Sequence, residues 1–158
     1  MFGFTAKITK KRIIMTVMLI SIPLLVILAV KLSDSPQNTY DTTAKTTAQR
    51  LDFLSNFGWE CDEKSEQVKD FVIPTEFDKV YSSYNDIQLS QGFDLTKYSG
   101  KSVKIYTYKI LNYPENSQYV YGSITVYENK IIAGDIHSTA LDGFMHGFNL
   151  ENTGKSFD

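Results

Sequence analysis

Cysteine is nearly absent. Cys61 is the only one in 158 residues, so no intramolecular disulfide can form and any fold must be held by burial alone. With no basic residue or histidine beside it, that thiol reads as a small half-buried side chain rather than a nucleophile or redox group. Histidine is scarce too: His137 and His146 are the only two, and none of the spacings that set two ligands on one helix face is present. Asp135 and Asp142 lie nearby, but type and proximity alone make no metal motif. No glycine-rich phosphate loop follows a strand, no G-x-S-x-G elbow surrounds a serine, and no internal repeat is visible. These absences leave nucleotide binding and serine hydrolysis without a template, and no cofactor is expected.

Charge is missing altogether from Ile13 to Val30, "IIMTVMLISIPLLVILAV". Eighteen residues of helix reach about 27 Å, close to the roughly 30 Å hydrocarbon core of a bilayer. Thr16, Ser21 and Pro23 do not forbid a span, because hydroxyls bond back to the helix and proline is tolerated within lipid. Lys7, Lys10, Lys11 and Arg12 precede the run and only Lys31 follows it closely, which places the N-terminus in the cytoplasm and the remainder outside. The run exceeds the core of a secretory signal, and the small residues Ser33 and Ser35 are followed by Pro36, so an uncleaved anchor is expected. Four basic side chains lie before the span, leaving twelve against eighteen acidic ones after it, a formal charge of about −6. Phosphate neutralisation needs clustered Lys and Arg, which excludes nucleic acid as a partner, and the same charge opposes adhesion to anionic lipid.

The expected organisation is a basic cytoplasmic segment over 1–12, a transmembrane helix over 13–30, a polar tether over 31–47, an α+β domain over 48–150 and a tail over 151–158. Ala44, Ala48, Leu51 and Leu54, broadened by Phe53 and Phe57, predict a helix from about Thr43 to Phe57, closed by Gly58 as a left-handed cap. Trp59–Glu63 and Val68–Ile73 have modest strand character and are separated by the polar "EKSEQ". A calcium reading of "ECDEKSEQVKD" fails, because the loop glycine is missing and lysines stand among the carboxylates; a solvated charged edge fits better. Thr75 and Asp78 start a second helix carrying Phe77, Val80, Tyr81, Tyr84 and Ile87, with Gly92 closing it. "FDLTKYSGK" is a turn.

From Ser102 the chain becomes β-branched and aromatic, predicting a three-stranded antiparallel meander joined at "PENS" and "EN". Alternation groups Val103, Ile105 and Leu111 on the first strand, Val120, Ile124 and Val126 on the second, and Ile132 and Ile136 on the third. That predicts one aliphatic face covered by both helices. Tyr106, Tyr108, Tyr119, Tyr121 and Tyr127 then share the opposite face. They either pack beneath a second layer or form an exposed binding surface.

"STALDGFMHGF", residues 138–148, concentrates Ser138, Asp142 and His146 among glycines and phenylalanines. Its chemistry-bearing types lack the ordered nucleophile, base and orienting group that catalysis requires. It reads instead as a closing segment: Leu141, Phe144, Met145 and Phe148 turn inward, Gly143 and Gly147 permit the bend, and His146 sits at the rim.

Three stretches, "RLDFLSNFGWE", "IPTEFDKVYSSYNDIQLSQGFDLTKYSGKSVKIYTYKILNYP" and "LDGFMHGF", resemble the DUF4830 family of bacterial proteins, found chiefly in Firmicutes. The resemblance covers about Arg50 to Phe148. It implies a small extracytoplasmic domain behind one N-terminal span, and it implies no reaction, so no catalytic residue is carried over. The expected function is a membrane-anchored, non-enzymatic module that binds a membrane or envelope protein or another envelope component. Its binding residues are Tyr106, Tyr108, Tyr119, Tyr121, Tyr127, Asp142, Phe144 and His146. The alternative is a small metal-dependent or hydrolytic enzyme centred on His137, Asp142 and His146.

Overall fold

A computed structural model describes residues 40–114 and 118–150. The expected cytoplasmic segment, the transmembrane run 13–30, most of the tether and the tail 151–158 lie outside the described residues.

The order of elements is helix α1 (Thr47–Ser55), strand β1 (Cys61–Val72), helix α2 (Lys79–Ser90), a short 3-10 turn (Leu95–Tyr98), and strands β2 (Ser102–Ile110), β3 (Val120–Tyr127), β4 (Lys130–Ser138) and β5 (Met145–His146). All five strands form one antiparallel sheet in the order β1-β2-β3-β4-β5. The expected meander is therefore present and is extended by one strand on each side. An α+β architecture results.

α1 begins later than its apolar spacing predicts. Thr46 and Gln49 form a reciprocal capping box, and the residues before it bond elsewhere: Ala44 N–H donates to Asn129 O at 2.9 Å and Ile131 N–H to Thr42 O at 2.8 Å. Gly58, at φ 86°, closes the helix as expected, since only glycine takes that conformation without strain. Asp78 caps α2 by accepting from Tyr81 N–H at 2.7 Å. The buried residues of α2 include the polar Asn85 and Gln88, whereas Val80 of the predicted stripe is exposed. Both amides substitute for backbone partners. Asn85 accepts from Leu95 N–H, and Gln88 accepts from Gly134 N–H on the free edge of β4. Gln91 spans the same edge, donating to Gly134 O at 3.1 Å and accepting from Phe148 N–H at 2.6 Å.

The two strand segments predicted before α2 merge into one twelve-residue edge strand. Asp62 pairs with Lys109 and Gln67 with Thr107, so Glu63–Glu66 bulge opposite Tyr108 alone. Ser65 braces the bulge, donating to Asp62 O and accepting from Lys109 N–H. A bulged, charged edge resists pairing with other chains.

The helices do not share one aliphatic face. Phe53 and Leu54 of α1 cluster with Tyr108, Ile110, Val120, Ile124 and Ile136, while Tyr81 and Tyr84 of α2, and Phe77 just before its cap, pack with Val103, Ile132 and Ala133. Val103 and Tyr108 differ in parity along a regular strand, so α1 and α2 cover opposite faces. The tyrosines divide accordingly. Tyr106 and Tyr108 pair across to Ile124 and Gly122 on the α1 side, whereas Tyr121 and Tyr127 lie on the α2 side. Ile132 and Ile136 separate as well, because β4 carries one extra residue opposite Thr125 and Val126.

Candidate functional site

α2 covers only one end of its face, over Phe71, Val103 and Ala133. At the other end, the cross-strand row Lys109–Tyr121–His137–Met145 remains partly open, beside the row Thr107–Ser123–Asp135, of which only Thr107 is partly exposed. Asp135 is buried in this surface, and its carboxylate is held by two donors. Tyr84 OH from α2 donates to Oδ2 at 2.9 Å, and His137 donates from Nδ1 to Oδ1 at 2.7 Å. Burial, reinforced by the adjacent carboxylate charge, pushes the Tyr84 hydroxyl well above its ordinary pKa and keeps it a donor. The arrangement fixes the His137 tautomer and turns Nε2 outward, where no described residue bonds it. Tyr121 stacks on the imidazole at 6.1 Å between centroids.

Around this pair the sheet ends in an apolar rim. Tyr119 is 46% exposed, Met145 48%, and Leu141 wholly exposed at the tip of the β4–β5 loop. Thr139 N–H donates to Tyr119 O at 2.9 Å and ties that loop to the start of β3. Tyr119, Tyr121, His137, Leu141 and Met145 thus form one corner, with Asp142 exposed beside Leu141. The expectation that Leu141 and Met145 turn inward is corrected: the loop is too short to bury every apolar residue it carries, and Phe148 fills the space against Gly134 instead.

The other predicted residues lie elsewhere. Tyr127 meets Tyr98 at 5.6 Å near the β3–β4 turn. Tyr108 is fully buried, accepts from Arg50 Nε at 2.7 Å and donates to the Glu66 carboxylate. Burial and that carboxylate push its pKa up. Tyr106 lies under the Arg50 guanidinium, 3.7 Å from its ring centre. It also lines a cleft of about 310 Å³ with Lys45, Asp70, Lys104 and Glu128, where mixed charge selects neither sign.

Phe144 and His146 join an aromatic stack on the α1 side. Phe144 stacks on Tyr113 at 4.8 Å and Tyr113 on Trp59 at 5.7 Å. Trp59 Nε1–H donates to Phe148 O at 2.7 Å, and His146 Nδ1 donates to Gly147 O at 2.6 Å. With that tautomer, Nε2 accepts from Tyr113 OH at 3.2 Å. His146 pairs with Ile136 and His137 with Met145, so the two imidazoles point to opposite faces of the sheet. Among the described residues no group of three or more His, Cys, Asp or Glu side chains converges. Burial pushes the Cys61 thiol up to about 12, which keeps it protonated at neutral pH.

Two groupings escaped the sequence reading. The Asp135–His137 pair was available from strand parity, since residues two apart share a face; Tyr84 and the Arg50–Glu66 contact carried no local signal. No curated protein and no solved structure matches the chain. The model of a domain of unknown function, DUF4830, matches residues 53–136, more than half of the sequence and most of the sheet described above, and the chain belongs to that family.

Proposed function

We propose that the chain is a single-pass membrane protein whose acidic α+β domain lies outside the cytoplasm and binds a protein or envelope component without chemistry of its own. The binding surface is the corner formed by Tyr119, Tyr121, His137, Leu141 and Met145. The observation that carries this reading is the exposure of Tyr119, Leu141 and Met145, which the Thr139–Tyr119 hydrogen bond and the β4–β5 pairing bring to the same end of the sheet. The uncharged run 13–30 and its basic N-terminal flank support the anchor and its orientation.

Two measurements test it. Protease added to intact protoplasts should digest the portion after Val30, and protection of that portion would reverse the orientation. Co-purification from native-host membranes should recover a stoichiometric component that is lost in Tyr121→Ala; recovery unaffected by corner substitutions overturns the assigned surface.

One observation favours a second reading, chemistry at His137. A buried carboxylate orienting an imidazole whose far nitrogen faces outward is how a general base is held. His146 lies on the other face and supplies no partner to it. Turnover of an envelope substrate that disappears in His137→Ala, with the fold retained, would establish that alternative.

A further inference from the structure

Leu141 is the most exposed of the large hydrophobic side chains among the described residues, yet its loop is braced. Ser138 N–H donates to Phe144 O at 2.9 Å and closes the turn, and Ala140 N–H donates to Ser138 Oγ at 3.2 Å. Gly143 packs so tightly that a Cβ there would lie 2.4 Å from Ser138 O and 3.0 Å from Ala140 O, so the turn requires glycine. An apolar side chain on a braced turn loses little freedom when it is covered. Tyr119, whose carbonyl accepts from Thr139 N–H of the same loop, and Met145, at the start of β5, are also exposed. Asp142, next to the tip, is exposed and has no hydrogen bond or ion pair to a described residue.

The chain enters the fold at the other end of the sheet. Thr42–Ala44 bond to Asn129 and Ile131 at the β3–β4 turn, and Lys130 Nζ donates to Thr43 Oγ1 at 3.0 Å. The Leu141 loop lies beyond the far end of β4, about 26 Å away at the usual rise per strand residue.

We propose that the Leu141 turn is a docking knob for a different protein, which meets the domain on the side opposite to where the chain enters and presents an apolar pocket bordered by lysine or arginine. This rests on the corner being a binding surface. The unpaired Asp142 carboxylate selects a basic border. An anionic lipid surface is disfavoured by that carboxylate and by the acidic excess after the span. A two-fold contact between copies centred on this turn would set Asp142 against itself.

The test uses the full chain in native-host membranes, with a photo-crosslinking amino acid introduced at position 141, at 121, or at the exposed control position 80 on α2. The expected result is an adduct with one other protein from 141 and none from 80. That protein, identified by mass spectrometry and purified, should bind the full chain in nanodiscs. Leu141→Ser should weaken binding about 10- to 100-fold, the worth of covering one leucine. Asp142→Lys should also weaken it and reverse its salt dependence, while Val80→Ser leaves it unchanged and Trp59 fluorescence reports an intact fold throughout. Adducts from 121 but not 141 overturn the knob and leave the corner as a binding surface; adducts from neither overturn both. A lipid adduct at 141 overturns the proposal in favour of the bilayer, and a self-adduct in favour of a second copy.

Discussion

Replacing Arg50 by methionine keeps much of the stem volume and removes the guanidinium. In the native fold that group donates to Tyr108 OH at 2.7 Å, to Glu66 at 2.8 Å, to Thr47 Oγ1 at 2.9 Å and to Ala44 O at 3.3 Å, with Tyr106 beneath it. Losing one partner of a buried ion pair costs about 3–5 kcal/mol. Glu66 keeps two hydroxyl donors, Tyr108 and Thr47, and its side chain is 25% exposed, so the lower end, about 3 kcal/mol, is expected. The pH dependence gives a sharper test. Burial opposes ionisation of Glu66, but hydrogen bonds from Arg50 and Tyr108, the Arg50 charge and Thr47 together hold its pKa below the usual glutamate value. A depressed folded pKa contributes stability above the unfolded value, near 4.3, that is lost as pH falls through the folded one. Without Arg50 the burial effect dominates and the folded pKa should rise. The gap between native and R50M protein should therefore be widest near pH 7 and narrow as pH falls toward 4. Urea unfolding of the full chain in detergent, followed through its single tryptophan, measures both quantities. A gap below about 1 kcal/mol, or one constant with pH, would show that the ion pair does not hold α1 to the β1 bulge.

Gly134→Ala should destabilise by more than about 3 kcal/mol, because its Cβ would fall 2.2 Å from the Phe148 ring and 2.4 Å from Ser123 O; a melting temperature within a few degrees of native would contradict the close packing. Phe148→Ala should cost about 3–5 kcal/mol whereas Leu141→Ala should stay within about 0.5 kcal/mol, since the first ring is fully buried and the second side chain wholly exposed; comparable losses from both would contradict the outward turn of Leu141. The raised Cys61 pKa of about 12 leaves little thiolate, so alkylation by iodoacetamide at pH 8 should run at least roughly 100-fold slower than in urea, as mass spectrometry would report; rapid labelling of the folded chain would place the thiol in solvent.

Features set by neighbours in sequence were legible. Gly58 and Gly92 take the positive φ expected of helix-closing glycines, and the β-branched run from Ser102 forms the expected meander. Facing was not legible, because it depends on register between strands. Tyr106 pairs with Ile124, which puts tyrosine and aliphatic residues on one side; a one-residue slip would have reversed this, and the sequence between Ile110 and Val120 contains nothing that fixes it. The extra residue in β4 then moved Ile132 to the face opposite Ile136 although both have the same parity.

Polar interruptions misled for a related reason. "EKSEQ" has the composition of a solvated loop, and most of it is exposed; yet its bulge turns Glu66 toward Arg50, a contact between residues sixteen apart whose geometry needs the strand first. Gln88 and Gln91 lie outside the apolar stripe predicted for the second helix, yet they complete the free edge of β4 at Gly134. Each case follows one rule: a buried backbone or charged group must find a partner, and hydrophobic patterning is blind to partners supplied by tertiary structure. The candidate corner shows the converse. Leu141, Met145 and Tyr119 are residues that patterning assigns to a core or to sheet packing, and the domain leaves them outside on a braced edge. Residue type alone does not separate such outward positions from core positions, because an apolar side chain is buried only where another element of the fold reaches it.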